Sequence, residues 1–560
     1  MMITGAEVLA RTLVGLDARY AFNVPGFGLQ PLVEALDAHR DELRYVSSVN
    51  ETNIALIAAG YARVSGRPAF VDVYHSSGTA LAMMAITTAW GDNAPLVVAS
   101  TTAARSVSGR DTYAAVPRHV TDMSAGFTKW DFEVPSAERI PEVLARAFAI
   151  AATPPMGPVH IAIPLDVYTE SVDESVVDIV RPLAVPQPGS ADASALADAA
   201  AVIAAADDPV MVLGAEVAAY GAIDQAVALA EAAGATVLIE PFPARLPFPT
   251  AHAQYVGKVS DHADAAAAAD VVLYVGSELT EQRGPWPGLL QGTGATRIVL
   301  STDPTLVTKF FTPHIALTGA PAPTLSALAD AVSDARAASG GAASAHYADR
   351  RAAAVQKRTA ILEDGFDASP LRAGRVVHEV AAAVGDGILI NQAGTAAVFA
   401  DLLWETDAPE GFFGISAKAS AQGWAVPAGI GASLARPDEA VVVLVGDGGF
   451  MFSATAIYTA ANIGAHVVFV VLENGGWQDI SESSRVIGGA AHERESEYGW
   501  TFRSPQIDLV GFSASLGVRA VRAASPDELR AQLRAAVDAT GPTVVVVDSD
   551  PADVEFFFRK

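Results

Sequence analysis

Two glycine-rich stretches in the last third of the chain, Val445-Gly-Asp-Gly-Gly-Phe450 and Leu472-Glu-Asn-Gly-Gly-Trp477, determine the fold prediction. Asp447 and Asn474 each follow an apolar run of the kind that forms a buried parallel strand. We predict that a crossover helix, Phe452–Ile463, connects the two strands. A right-handed crossover brings both carboxyl ends to one edge of the sheet, where α/β folds bind ligands.

The residue types at this edge are typical of a magnesium and phosphate site. One carboxylate oxygen, one amide oxygen and the carbonyl of Gly476 suit a hard cation, and phosphate oxygens would complete the octahedron. Gly448 and Gly449 let the backbone approach phosphate and open the crossover helix, whose amino terminus favours negative charge. A Gly-Asp-Gly tripeptide alone is equally typical of a turn. The separation of 27 residues between Asp447 and Asn474, on matching strand ends, favours the phosphate site.

The same alternation of apolar strands and helices extends outward over the whole chain. We therefore predict an α/β protein of three doubly wound parallel-sheet domains, covering residues 1–180, 190–335 and 366–560. Linkers are predicted at Pro182–Ala193, which contains Pro-Gln-Pro-Gly-Ser, and at the Ala- and Ser-rich stretch Ala337–Ala345, which is alternatively an exposed helical connection.

Composition narrows the classes of function. The 560 residues are 51% hydrophobic, carry a formal charge of −27 and include no cysteine. Thiolate metal sites, disulfides and cysteine nucleophiles are therefore excluded. The negative charge disfavours nucleic acid and anionic membranes as partners. We expect a cytoplasmic protein, because no secretory signal and no apolar run of roughly 18 residues is found.

These motifs resemble the thiamine-diphosphate-dependent enzymes and are most similar to the benzoylformate decarboxylase branch. Further stretches with this resemblance are Gly60-Tyr-Ala-Arg63, Gly157-Pro-Val-His-Ile-Ala-Ile-Pro164 and Gly423-Trp-Ala-Val-Pro-Ala-Gly-Ile-Gly431. The resemblance implies thiamine diphosphate and Mg²⁺ as cofactors. It also implies a homodimer or homotetramer in which each active site lies between the first domain of one subunit and the third domain of another.

The resemblance assigns roles to single positions. It makes Asp447, Asn474 and the Gly476 carbonyl the magnesium ligands and the Ser420 carbonyl the acceptor of the aminopyrimidine amine. The other residues that it places at the cofactor are Gly394, Thr395, Gly448, Gly449 and Trp477.

Glu51 is the candidate for activating the cofactor. The family has a glutamate that hydrogen-bonds the aminopyrimidine ring. Glu51 begins a predicted helix whose following turns are mostly apolar and can shield its carboxyl group from water. A shielded carboxyl keeps its proton more readily and can share it with a ring nitrogen. Taken alone, Glu51 is also explained as an acidic residue favoured by a helix dipole.

Several positions depart from the family pattern. Gln422 stands where the family has a bulky apolar residue that bends the cofactor, and Phe27 replaces a serine. Arg283 replaces a histidine, and a guanidinium cannot relay protons. In the loop predicted after the strand Phe70–Tyr74, either Tyr74 or His75 faces the cofactor, and His75 is the better candidate for proton transfer because imidazole titrates near neutrality.

The function expected from the resemblance is cleavage or formation of a carbon–carbon bond next to a carbonyl, foremost decarboxylation of a small 2-oxo acid. One alternative is a carboligase or lyase similar to acetolactate synthase or 2-hydroxyacyl-CoA lyase, in which Arg283 binds a carboxylate or phosphate. Another is a catalytically quiet, cofactor-binding paralogue, suggested by Gln422, Phe27 and Arg283. A nicotinamide dehydrogenase is disfavoured, because no Gly-x-Gly-x-x-Gly follows the first strand.

Overall fold

The computed structural model describes residues 1–110, 119–278, 294–340, 344–392, 394–415, 418–419 and 421–554. Three sheets of six parallel strands follow one another along the chain, each flanked by helices. The predicted fold class, three doubly wound α/β domains, is confirmed. Within the described residues, no helix is both long and apolar enough to cross a membrane.

The first domain has the strand order β3-β2-β4-β5-β7-β6, with β1 and β8 forming a separate antiparallel pair. Its strands are β1 (Met2–Thr4), β2 (Tyr20–Asn23), β3 (Arg44–Ser47), β4 (Ala69–Val73), β5 (Leu96–Thr102), β6 (Asp131–Glu133), β7 (Val159–Pro164) and β8 (Ser171–Asp173). Its helices are α1 (Gly5–Gly15), α2 (Gln30–Ala38), α3 (Glu51–Ser65), α4 (His75–Gly91), α5 (Ile140–Ala152) and α6 (Leu165–Thr169).

The central domain has the order β11-β10-β9-β12-β13-β14. Its strands are β9 (Pro209–Leu213), β10 (Thr236–Ile239), β11 (Tyr255–Lys258), β12 (Val271–Val275), β13 (Thr296–Ser301) and β14 (Ile315–Thr318). The helices are α7 (Ala193–Ala205), α8 (Ala215–Ala219), α9 (Ile223–Ala233), α10 (Ala263–Ala268), α11 (Pro304–Val307), α12 (Pro321–Ser339) and the connecting α13 (His346–Glu363).

The third domain has the order β16-β15-β17-β18-β20-β19. Its strands are β15 (Ile388–Gln392), β16 (Phe412–Phe413), β17 (Val441–Gly446), β18 (Val468–Glu473), β19 (Arg519–Ala523) and β20 (Thr543–Asp548). The helices are α14 (Ala373–Val384), α15 (Thr395–Leu403), α16 (Ala425–Ala435), α17 (Asp447–Ser453), α18 (Ala456–Ile463), α19 (Gln478–Val486), α20 (Leu509–Ser515) and α21 (Pro526–Val537).

The connection between β17 and β18 differs from the prediction. Instead of one helix over Phe452–Ile463, α17 begins at Asp447 and a second helix, α18, begins at Ala456. Gly448 and Gly449 lie in the first turn of α17, although glycine is a poor helix former. Both glycines are buried, and the close packing that they permit outweighs their low propensity.

The first and third domains of one chain pack directly through α3 and α16. The two helices approach closely because glycines lie at their contact: a Cβ on Gly60 would lie 2.5 Å from the Ala428 Cα, and one on Gly431 would lie 2.2 Å from the Ile57 carbonyl oxygen. At the end of α3 that carries Glu51, the Asn53 amide donates to Thr455 Oγ1 at 2.9 Å. This packing fixes the first turn of α3 relative to the third domain of the same chain.

A buried ion pair joins all three domains. Arg63 of α3 lies 2.8 Å from Asp92, and both side chains are 3% exposed. The same guanidinium donates to the carbonyls of Ala244, in the central domain, and Gly414, in the third. It also lies 4.7 Å from the centre of the Trp424 ring. Because buried charges are costly without partners, Arg63 stabilises the fold only while this set of contacts is complete.

Candidate functional site

A cavity of about 520 Å³ opens at the carboxyl edge of the third sheet. It lies between β15 and β17, where the strand order reverses, which is the usual ligand position in a doubly wound sheet. Eight of the predicted site residues line it: Gly394, Gln422, Asp447, Gly448, Gly449, Asn474, Gly476 and Trp477. The structure therefore brings these eight predicted residues together around one cavity.

Asp447 is buried at the base of this cavity, where three backbone amides hold its carboxylate. The Gly448 N–H donates to Oδ1 at 2.8 Å. The N–H groups of Gly475 and Gly476 donate to Oδ2 at 2.8 and 3.1 Å. Burial raises the pKa of Asp447 to about 6, against the opposing effect of these amides. Oδ1 accepts only one of these bonds and retains a lone pair, so the fixed carboxylate can still bind a cation.

Asn474 contributes an amide oxygen that has no hydrogen-bond partner among the residues that the structure describes. Its Oδ1 is fully buried, yet no described residue donates a hydrogen bond to it. An unsatisfied buried carbonyl is costly in a native structure and usually marks the place of a water, an ion or a ligand. Since Asn474 and Asp447 line the same cavity, this oxygen is a candidate metal ligand.

A second segment, Trp500–Arg503, holds the loop that carries Asn474. The Trp477 N–H donates to the Trp500 carbonyl at 2.7 Å, and the Phe502 N–H donates to the Gly475 carbonyl at 2.9 Å. Arg503 donates through Nη2 to the Asn474 carbonyl at 2.9 Å. Sequence reasoning missed this segment, because its contacts join distant parts of the chain without any local periodicity.

At two positions of the motif only glycine fits, because neighbouring protein atoms lie too close to leave room for a side chain. A Cβ on Gly448 would lie 2.4 Å from the Trp477 ring. Gly476 has a φ of +143°, and a Cβ there would lie 2.1 Å from the Trp500 carbonyl oxygen. Neighbouring protein atoms thus fill the space beside both glycines, and a side chain at either position would displace the Trp477 ring or the Trp500 backbone.

The mouth of the cavity is aromatic. The Phe452 and Trp477 rings meet edge to face, with centroids 5.5 Å apart, and Tyr498 and Trp500 lie along the rim. Of these four residues, only Trp477 was predicted. The segment before Trp500 is rich in acidic and basic residues, a composition typical of a solvated surface, and nothing in it indicates that Tyr498 and Trp500 reach the cavity.

In the first domain, Glu51 is the first residue of α3, as predicted, and Asn50 caps the helix by accepting the Asn53 N–H at 2.8 Å. The Glu51 side chain is half-buried. A Cβ on Gly78 would lie 3.1 Å from Glu51 Oε1, so the first turn of α4 passes close to this carboxyl group. The carboxyl is partly shielded by α4 as well as by its own helix.

His75 does not lie in a loop, and that expectation was wrong. It is the first residue of α4 and has a φ of 53°, which is unusual for a residue with a side chain. The ring is buried, its Nδ1 lies 3.2 Å from the Thr101 carbonyl oxygen, and burial lowers its pKa. The half-buried Tyr74 ring packs edge-on against it, with centroids 3.8 Å apart. Strained backbone of this kind is often found at functional sites.

Glu51, Tyr74 and His75 do not line the cavity of the third domain in the same chain. Two other predicted site residues, Arg283 and Ser420, lie outside the described residues. Thr395 is the first residue of α15, and its side chain is not among the described parts of the structure.

Comparison with known proteins gives the family. The chain matches three models of the thiamine pyrophosphate enzymes: the N-terminal TPP binding domain over residues 3–123, the central domain over 196–328 and the C-terminal TPP binding domain over 392–547. The chain belongs to the thiamine pyrophosphate enzyme family. The C-terminal match contains the whole cavity described above.

Individual relatives of this thiamine pyrophosphate enzyme include decarboxylases and synthases. It is 28% identical over 543 residues to a benzoylformate decarboxylase of Pseudomonas aeruginosa, covering 94% of this chain and 95% of the other. It is 25% identical over 570 residues to a probable acetolactate synthase large subunit of Methanocaldococcus jannaschii, covering 98% and 92%. The structure of a 4-hydroxybenzoylformate decarboxylase of Rhodococcus jostii RHA1 superposes with a TM-score of 0.84 at 25% identity, covering 98% and 99%.

The observed donor set fits the diphosphate and a divalent cation. Asp447 supplies a fixed carboxylate, Asn474 a buried oxygen with no partner among the described residues, and Gly448 and Gly449 line the cavity without side chains of their own. These are hard oxygen ligands with room for phosphate oxygens to complete the coordination. No basic side chain is found among the described residues that line the cavity, so a cation is the expected counter-charge for a diphosphate there.

Proposed function

We propose that this thiamine pyrophosphate enzyme is a magnesium-dependent decarboxylase of 2-oxo acids. The buried, unpaired Oδ1 of Asn474 beside the amide-held carboxylate of Asp447 is the observation that carries the proposal. With the Gly476 carbonyl, these groups would hold Mg²⁺ against the diphosphate. The similarity to benzoylformate decarboxylases supports an aromatic or other bulky 2-oxo acid as substrate.

When bound, thiamine diphosphate supplies a carbon nucleophile and an electron sink for the loss of carbon dioxide. The residues of the chain position and protect the reacting groups. Glu51 would share a proton with the aminopyrimidine ring, since α4 and its own helix partly shield its carboxyl group from water. The aromatic rim around Trp477 would exclude water from the substrate.

His75 and Tyr74 are the proposed proton-handling pair of the first domain. Because burial lowers its pKa, His75 is neutral near pH 7 and can accept a proton from the substrate side or return one to the product. The Tyr74 ring limits the movement of the imidazole through its edge-on contact. Arg283 would bind a carboxylate, since it cannot exchange protons near neutral pH.

We further propose that the active site forms between two subunits of a homodimer or homotetramer. Within one chain, the described residues that line the cavity all belong to the third domain, whereas Glu51, Tyr74 and His75 belong to the first. A second copy that places its first domain over the cavity would complete the site. Phe27 is 76% exposed and follows Gly26, whose backbone lies against the Tyr74 ring, and it is then expected to become buried between subunits.

Carboligation is the second candidate function. The chain is 26% identical over 583 residues to an acetolactate synthase of Bacillus subtilis, in addition to the archaeal relative. The two reactions share the first steps and differ in whether a proton or a second carbonyl compound captures the product of decarboxylation. The open mouth of the cavity is compatible with both.

Product analysis distinguishes the candidates. The enzyme, loaded with thiamine diphosphate and Mg²⁺, is incubated with benzoylformate or with pyruvate, and aldehyde, carbon dioxide and acetolactate are quantified. Aldehyde in equal amount to carbon dioxide supports the decarboxylase, and acetolactate from pyruvate supports the carboligase. Exchange of the cofactor C2 proton with deuterium is measured in parallel by NMR. Cofactor binding without this exchange would contradict both reactions and indicate a catalytically quiet paralogue.

A further inference from the structure

Two glutamines meet at the base of the cavity, and only one of them was predicted to be functional. Gln392, the last residue of β15, is 2% exposed. Its Nε2 lies 3.1 Å from the Ala421 carbonyl oxygen and 3.1 Å from Gln422 Oε1. Its Oε1 accepts the N–H of Ala425, the first residue of α16, at 2.9 Å. Gln392 thus binds both ends of the segment that carries Gln422.

These contacts determine which way both amides are turned. The Ala425 N–H can only donate, so the Gln392 atom facing it is the oxygen. The Gln392 nitrogen consequently faces the Ala421 carbonyl, which can only accept. The Gln422 atom that also faces this nitrogen must be an acceptor, which is Oε1. The orientation follows from backbone groups alone and does not depend on distinguishing nitrogen from oxygen in either side chain.

Because Gln392 donates to Oε1 of Gln422, the Nε2 of Gln422 remains available to donate to another group. The side chain is exposed in the cavity, and no described residue accepts a hydrogen bond from Nε2. Nearby charges in the cavity, Asp447 and Asp479, are negative, and no described lining residue is basic. Among the described lining residues, only neutral groups such as the Gln422 amide can therefore donate a hydrogen bond to an anionic oxygen that enters this space.

We propose that Gln392 acts as a positioning residue that orients the Gln422 amide, and that Gln422 Nε2 donates a hydrogen bond to a carboxylate oxygen of the bound substrate. The inference rests on the proposed function and adds a specificity determinant to it. A bulky apolar side chain at this position would fill the same space without offering a donor. Recognition of the carboxylate by Gln422 selects 2-oxo acids over plain ketones and aldehydes.

The test uses the enzyme loaded with thiamine diphosphate and Mg²⁺ and two unreactive 2-hydroxy acids, mandelate and lactate, as probes for titration calorimetry. Gln422→Leu removes the donor. Gln422→Glu keeps the shape and the acceptor for Gln392 but replaces the donor by an oxygen. Both variants are expected to bind the probes about 10- to 100-fold more weakly than the wild type, the range of a hydrogen bond to a charged group. Binding of thiamine diphosphate is titrated separately for each variant, and probe affinities are compared at saturating cofactor, so that a loss of probe binding is not a loss of cofactor.

A double-mutant cycle tests the role of Gln392. Gln392→Leu alone is expected to weaken probe binding about 3- to 30-fold, because the Gln422 amide can then rotate. In the Gln422→Leu background, Gln392→Leu is expected to have less than a twofold effect. Should Gln422→Leu fold poorly, Gln422→Met, of similar length, takes its place. A merely structural Gln392 would weaken probe binding equally in both backgrounds.

The outcomes separate this inference from the proposed function. A wild-type enzyme that exchanges the cofactor C2 proton but binds neither probe overturns the inference and leaves the proposed function standing. Probe affinity that is unchanged in Gln422→Leu or in Gln422→Glu also overturns it. A wild-type enzyme that binds no thiamine diphosphate overturns the proposed function and the inference with it.

Discussion

Replacing Asn474 by leucine should have opposite effects on the empty protein and on its complex. The Asn474 Oδ1 is buried without a hydrogen-bond partner, a state that costs about 1–3 kcal/mol. Leucine has nearly the same shape and removes this cost. In the absence of cofactor, Asn474→Leu is therefore expected to raise the free energy of unfolding by about 1 kcal/mol or more. For a domain of this size, that corresponds to a rise in Tm of about 2–4 °C per kcal/mol.

In the presence of thiamine diphosphate and Mg²⁺ the sign reverses, because the variant lacks a metal ligand. A ligand at 100 times its Kd stabilises a protein by about 2.7 kcal/mol, and Asn474→Leu is expected to lose most of this gain. Thr543→Val is the matched control. Thr543 Oγ1 is also buried without a partner, but it lies at the opposite end of β20 from the cavity.

The assay is thermal unfolding of the wild type and both variants, with and without saturating cofactor. Thr543→Val is expected to raise the Tm of the empty protein and to keep the full cofactor-induced shift. Asn474→Leu is expected to raise the Tm of the empty protein as well, but to lose the cofactor-induced shift. A variant at Asn474 that is less stable when empty, or that keeps the whole shift, would refute the assignment of Asn474 as a metal ligand.

Three further predictions concern other parts of the molecule. Glu51→Gln is expected to slow deuterium exchange at the cofactor C2 about 10²- to 10⁴-fold while changing cofactor affinity little; unchanged exchange by NMR would exclude Glu51 as the activating group. Burial raises the pKa of Asp72 to about 7 from 3.8, so its contribution to stability is complete below pH 3.8 and is lost as the pH rises through 7. Asp72→Asn is therefore expected to gain stability relative to the wild type between pH 4 and 7, by up to about 1.4 kcal/mol per pH unit, and a pH-independent difference in urea unfolding would contradict this. Arg63→Met leaves Asp92 buried without its cation and is expected to cost about 3–5 kcal/mol, whereas Arg63→Met/Asp92→Leu should recover much of the loss; equal urea midpoints for the single variant and the wild type would show that the pair is not coupled to folding.

The third-domain cavity was predictable because key lining residues come directly after the carboxyl ends of apolar strands in the sequence. Asp447 and Asn474 end neighbouring parallel strands, and chain direction alone places them at one edge. The same logic gave the three-domain α/β fold, since buried parallel strands are continuous apolar runs that stand out in sequence. These features depend on local pattern and handedness, which a single sequence contains.

Other features depend on contacts that the sequence does not encode locally. Nothing in the sequence indicates the positive φ of His75, because such a conformation is usually predicted only for glycine, asparagine or aspartate. The pairing of Trp500 with Trp477 and the clamp of Gln392 on Gln422 join separate segments through single hydrogen bonds. The relation that we propose between Glu51 and the cavity would depend on a second subunit. Packing and assembly, rather than periodicity, determine all of these.

A crystal structure of the assembled enzyme with thiamine diphosphate and magnesium is the decisive test of a cofactor site completed between subunits. We expect Mg²⁺ bound by Asp447, Asn474 and the Gly476 carbonyl. We also expect the carboxyl group of Glu51 of the partner subunit within hydrogen-bond distance of the aminopyrimidine ring. A metal bound without Asn474, or an aminopyrimidine ring far from every Glu51 in the assembly, would contradict this expectation.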